Sequence, residues 1–259
     1  MKRMTLAGIL TVAAGAASLM AQAKPPQPKS QKEFDAAKSM LTAAQQGGPD
    51  QTIAAAETLL TNFADTEFKE TALFFEARAY QQKNDPMKAQ VFGERVLEIN
   101  PKNYQTTLML GEVIAETTRE NDLDREEKLT KAEKYLASTM ESLKTAAKPN
   151  PQMADKDWDE AKQQITAEAH NGLGLCALPR KKYDVAAAEF KSAADLDPQP
   201  AYLAREASAL HSAGKNDDAI AICDKLLADP QLHPQIKQVA EGVRAAAIKA
   251  GGKAGGAAK

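Results

Sequence analysis

Residues 167–200, AEAHNGLGLCALPRKKYDVAAAEFKSAADLDPQP, constrain the fold more tightly than any other stretch of the chain. With Ala167 as position 1 of a 34-residue unit, Leu173 and Gly174 fall at 7 and 8, and Tyr183 and Ala186 at 17 and 20. Phe190 then falls at 24, Ala193 at 27 and Pro198 at 32. Two antiparallel helices approach closely only where small residues meet, and Gly174 and Ala186 supply them. Leu173 and Phe190 are the bulky residues expected to fill the space alongside. Pro198 cannot donate a backbone hydrogen bond and turns Asp197 away from helix, so it ends the second helix. One helix pair cannot bury its own apolar stripe, so a well-formed unit predicts neighbours.

The neighbours are present with more drift. Counted from Glu70, Leu73, Tyr80, Ala89, Val96 and Pro101 fall at 4, 11, 20, 27 and 32. From Tyr104, Leu110 and Gly111 repeat the Leu–Gly pair at 7 and 8. Ala132 takes the role of position 20 about nine residues late, after the charged stretch RENDLDREEK (119–128). From Pro200, Gly214, Ala219, Cys223 and Leu226 fall at 15, 20, 24 and 27. This spacing resembles the tetratricopeptide repeat (TPR) over roughly 70–233, with best units 70–103, 104–147 (expanded), 167–199 and 200–233. The resemblance implies an all-α, right-handed superhelical solenoid of antiparallel helix pairs, with about ten or eleven helices over 30–250. Position 4, often Trp in the family, is His170, Leu73, Thr107 or Leu203, and Trp158 lies outside the motif.

In TPR proteins the first helix of each pair lines a concave groove. Carried onto this chain, that implies a groove of Phe74, Arg78, Gln81, Leu108, Glu112, Asn171, Leu175, Leu178, Ser208 and His211. Leu173, Gly174, Ala186, Phe190, Ala193 and Pro198 hold the repeat together. TPR adaptors for acidic C-terminal tails use a Lys/Asn clamp, whereas this groove, with Glu116 and Glu168 at further groove offsets, carries one Arg, one Asn and several Glu. The implied partner is a mixed apolar and polar peptide or helix, held by Phe74, Leu108, Leu175 and Leu178 with polar guides around them.

The first 23 residues have the form of a secretory signal. Lys2 and Arg3 precede an Ala/Gly-rich apolar stretch from Leu6 to Met20, and Ala21-Gln22-Ala23 is a small-x-small cleavage site, with the cut expected after Ala23. The apolar stretch is short and weakly hydrophobic for a membrane anchor. The expected location is therefore periplasmic or secreted. Without Lys2 and Arg3, 31 basic residues face 35 acidic ones. That mild acidity argues against a nucleic-acid partner. Cys176 and Cys223 sit on helical core positions of different repeats, which favours free thiols over a bridge.

Along the chain, KPPQPK (24–29) reads as an extended leader. Residues 30–64 read as a further helix pair, broken at Gly47-Gly48-Pro49. Asp85-Pro86 should open a helix over 86–99. A long helix is expected over 156–178 with Asp155 as its cap, and Asn216-Asp217-Asp218 should cap another. Pro234 should start a capping helix over 234–250, and GGKAGGAAK (251–259) reads as a disordered tail.

Three chemical patterns fail on physical grounds. Gly172-Leu-Gly174-Leu-Cys-Ala177 imitates a dinucleotide loop, but the preceding QQITAEAH is helical in pattern and no strand leads into it. Asp155-Lys-Asp157-Trp-Asp159 imitates a calcium loop, yet the sixth position is Glu160 instead of Gly and the twelfth is Thr166 instead of Glu. His170, His211 and His233 lack zinc spacing, and His170 at position 4 reads as a packing residue. No cofactor or metal is expected, and the chain reads as non-catalytic. The expected role is a scaffold or adaptor exported to the periplasm or cell envelope. The alternative is a structural subunit of a stable envelope or secretion assembly, with self-association through its helical faces as one form of it.

Overall fold

The computed structural model describes residues 26–253. The expected signal segment with its cleavage site after Ala23 lies outside them, as do residues 24–25 of the leader and 254–259 of the tail. Among the described residues there are eleven α-helices, one 3-10 turn and no strand. The helices are α1 (Gln31–Gln46), α2 (Pro49–Asn62), α3 (Lys69–Gln82), α4 (Pro86–Ile99), α5 (Tyr104–Thr117) and α6 (Arg125–Leu143). Then follow α7 (Asp155–Ala177), α8 (Tyr183–Leu196), α9 (Pro200–Ser212), α10 (Asn216–Leu227) and α11 (Pro234–Lys249). No described helix is long and apolar enough to cross a membrane.

Local chemistry sets most helix ends. Ser30 Oγ accepts from the Glu33 amide at 3.1 Å and opens α1, while Gly47 and Gly48 separate it from Pro49 at the head of α2. Asp85 Oδ1 accepts from the Lys88 amide at 3.1 Å with Pro86 in the first turn, as the sequence predicts for α4. Two expected caps differ. Asp155 is the first residue of α7, preceded by Ala154, and its carboxylate pairs with Lys148. Helix α10 opens at Asn216 after Lys215 with no side-chain cap; Asn216 is already its first residue, and its amide oxygen lies 2.7 Å from His211 Nδ1. The long helix also stops at Ala177, and Leu178–Arg180 form a 3-10 turn.

The turns within three helix pairs share one geometry. A residue in the left-handed region, Asn84 (φ 56°), Lys181 (φ 57°) or Gly214 (φ 79°), follows the first helix. Its amide and the next one bond back to two helix carbonyls, as in Lys181 N to Leu178 O at 2.9 Å and Lys182 N to Ala177 O at 3.1 Å. Gly251 (φ 95°) ends α11 in the same way, and Lys253 N then donates to Asp217 Oδ1 at 2.7 Å. The turn between α5 and α6 is longer and is held by side chains instead. Thr118 Oγ1 donates to Ile114 O at 2.7 Å, Asp122 Oδ2 accepts from Arg119 N at 3.1 Å, and Arg125 Nη1 donates to Glu120 O at 2.8 Å.

The chain forms two compact units, with boundaries inside α5, α6 and α7. The first takes the residues up to Val113 and Ala137–Glu160; the second takes Ile114–Leu136 and the residues from Ala161 on. In the first, Met40, Leu59, Phe68, Leu73 and Val96 form the centre of a core built by α1 to α4. Trp158, outside the repeat pattern, is buried there with its ring 6.4 Å from Tyr104. Thr107 and Thr139 share a buried hydrogen bond at 2.8 Å.

In the second unit Ala186, Phe190, Ala219, Ile220 and Ala247 form a core from α8, α10 and α11. A Cβ on Gly174 would lie 2.5 Å from Phe190 Cε1, and one on Gly172 would lie 2.8 Å from Leu136 Cδ1. Both glycines of the dinucleotide-like pattern are therefore points of helix contact. Ala186, Phe190 and Ala193 are fully buried as expected. Leu173 is only half-buried, so Phe190 does the filling without it. Pro198 is exposed beyond the end of α8, after Asp197 in extended conformation. Cys176 and Cys223 are free and buried, and burial pushes both thiols up, Cys176 to about 12.

Candidate functional site on the first helices of the pairs

The ten expected groove positions divide sharply by burial. In the first unit, α3 is covered on nearly every side, with 71–77 and 79–80 all buried. Phe74 is 2 % exposed, with its ring 5.9 Å from that of Phe75. It belongs to the core and is not a partner anchor, which corrects the sequence expectation. Leu108 on α5 is corrected in the same way at 8 % exposed. Arg78 is exposed, and Gln81 and Glu112 are half-buried, so this unit presents polar groups at the expected offsets.

In the second unit Asn171 is 6 % exposed and its amide oxygen accepts from Arg205 Nη1. It ties α7 to α9 and does not guide a partner. Leu175 and Leu178 are half-buried and pack on the alanine-rich core formed with α8 to α11. Ser208 is half-buried and bonds back to Ala204 O at 2.8 Å. His211 is half-buried, held by Asn216. This unit thus leaves two partly open leucines on α7 and its 3-10 turn, with polar side chains on α9.

His170 is not a plain packing residue, because its Nδ1 meets Glu189 Oε2 at 2.7 Å and joins α7 to α8. Arg180 was not singled out by the sequence pattern. Its side chain is 9 % exposed and forks to Glu126 Oε2 at 2.8 Å and Glu133 Oε1 at 2.5 Å. The bond from Arg180, with a further one from Arg125, holds the Glu126 carboxyl below its usual range. The fork fastens α6 to the turn that follows α7.

Two buried acids were also missed. Glu76 and Glu206 both stand at position 7 of their repeats, where the other two carry Leu110 and Leu173. Glu76 is 1 % exposed and its Oε2 has no hydrogen-bond partner. Burial pushes its carboxyl up to about 7, Glu57 adds to the rise and Arg95 opposes it. Glu206 is 9 % exposed and raised in the same direction, chiefly by burial. A charged residue at a periodic core position is the signal that could have found both. Among the described residues no group of three His, Cys, Asp or Glu side chains gathers as a metal ion would require.

No family model matches the chain, and no curated protein matches it. Solved structures do. The chain is similar to MamA RS-1 (ArsTM double mutant) at 13% identity and a TM-score of 0.58, covering 82% of this chain and 97% of that one. It is similar to MamA MSR-1 C2 at 14% identity and a TM-score of 0.52, covering 83% and 97%. TTC0263, a thermophilic TPR protein of Thermus thermophilus, is 20% identical over 82% of this chain and 98% of that one, with a TM-score of 0.49. With the two MamA structures the likeness is one of fold: an all-α solenoid of antiparallel helix pairs of the TPR type.

Proposed function

We propose that this chain is a non-catalytic protein-interaction scaffold, exported to the periplasm or cell envelope, which takes a peptide or helix of a partner on the face of its first helices. The observation that carries the reading is the pair Leu175 and Leu178. These apolar side chains lie about one turn apart, rest on a rigid core and stay half open. Ser208 and His211 on α9 add polar groups at the corresponding offsets, which suits an amphipathic segment better than an acidic tail. Arg78 and Gln81 play the equivalent part in the first unit. A binding role also agrees with the state of Cys176, whose thiol is buried and held neutral, unlike the thiolate a nucleophile needs. Export rests on the signal-like first 23 residues.

Photo-crosslinking residues placed at Leu178, Arg78 and, as an outer control, Met87 (79 % exposed) test the reading. The expected result in envelope extract is partner crosslinks from Leu178 and from Arg78, each read for its own unit, with little from Met87. Crosslinks confined to Met87, with the chain folded, would remove the groove reading. N-terminal sequencing of the fractionated protein tests export separately, with Lys24 expected as the first residue.

A further inference from the structure

We propose that Glu76 is a proton-operated device in the packing of α3: its neutral carboxyl group seats against α2 and α4, and ionisation loosens that seat. The same unit treats two buried glutamates differently. Glu33 is 2 % exposed, but Oε1 accepts from Thr66 Oγ1 at 2.7 Å and Oε2 from the Lys29 amide at 2.6 Å. Its charge is met by donors on both oxygens. Glu76 is 1 % exposed and Oε2 meets no donor at all. An unpaired carboxylate in such a place is costly, whereas the neutral acid is tolerated.

The charged groups acting on it come from both flanking helices. Glu57 of α2 disfavours the ionised form, and Arg95 of α4 favours it. Arg95 does not close the gap, since its guanidinium lies over the Phe92 ring at 5.2 Å. The register supports a device specific to this position. Position 7 carries leucine in two repeats, so the fold accepts an apolar residue there, and Glu206 repeats the buried acid in the second unit. Helix α3 also bears Arg78 and Gln81 at the expected groove offsets, so a change in its seating reaches the surface. The inference stands on the packing of the first unit and does not depend on any partner.

The sign follows from proton linkage. The ordinary value is 4.5 and the folded one about 7, so the folded state holds the proton more tightly. Stability is greatest below the ordinary value, falls as pH rises between the two values, and levels off above the folded one.

The test is amide hydrogen exchange of 69–82 in the full chain at pH 6 and pH 8, corrected for intrinsic base catalysis. Wild type should lose about ten-fold in protection across that step. Glu76→Gln, which keeps the shape of the neutral acid, should lose none, and Glu76→Leu, using the residue of the sister repeats, should also be flat. Glu206→Gln should leave the α3 step intact. A ten-fold loss that persists in the folded Gln or Leu variant overturns the proposal, as does flat protection in wild type. If the Gln variant does not fold, the Leu variant decides.

Discussion

The repeats at 167–199 and 70–103 both set a glycine under a large side chain, but at different joints, one within the repeat and the other between successive repeats. In the first, the small residue is Gly174 at position 8 and the large one is Phe190 at position 24, a phenyl ring pressed against helix backbone. In the second, position 8 is Ala77 and the glycine has moved to position 24, where Gly93 receives Leu110 from the following repeat. What recurs is a small residue under a large one, and the helix that brings each is free to change. The two also differ in tolerance. Both large partners are fully buried, but a rigid phenyl ring gives way less readily than the end of a leucine.

The largest effect that can test this contrast is loss of the large partner. Phe190→Ala should lower unfolding stability by about 3–5 kcal/mol, against about 2–4 for Leu110→Ala, read from urea midpoints. A greater loss for Leu110→Ala would reverse the ranking. Next comes the small partner. Gly174→Ala should cost about 1–2 kcal/mol, because overpacking against the ring exceeds the gain in helix propensity. Gly93→Ala should stay within about 0.5 kcal/mol of wild type, since its new Cβ would meet Leu110 Cδ2 at 2.8 Å and Met109 Cε at 3.0 Å, both ends of flexible chains. Equal costs in thermal melts would show that the ring has room to move.

The smallest effects lie in the turns. Gly214 has φ of 79° and open space around a would-be Cβ, so Gly214→Ala isolates backbone strain. It should cost about 1 kcal/mol in a calorimetric scan. Lys181 adopts the same left-handed conformation with a side chain. Lys181→Gly should raise the melting temperature, and a fall would mean that its exposed pair with Glu120 matters more than the strain.

Much of the fold could be read before any coordinates. Helix ends at Gly47, Asp85-Pro86 and Pro234 follow from φ limits and missing donors, which are local properties of those residues. Gly174 opposite Phe190 was legible because the spacing of small and large residues is the contact itself. The candidate site was much less legible. Phe74, Leu108 and Asn171 occupy groove offsets, yet Phe74 and Leu108 are buried and Asn171 is bonded to Arg205. An offset says which way a residue points on an isolated helix pair, and it carries no account of what the next pair covers.

The same reason divides the rest of the molecule. The order of helices, their approximate lengths and the need for neighbours are consequences of short-range spacing, so they are present in the chain alone. Trp158 against Tyr104, Arg180 between Glu126 and Glu133, and Glu76 with no donor on Oε2 join or isolate residues far apart in sequence. Burial and pairing of that kind depend on which surfaces meet once the helices stack, and for Glu76 that stacking turns an ordinary acid into one that is neutral below about pH 7.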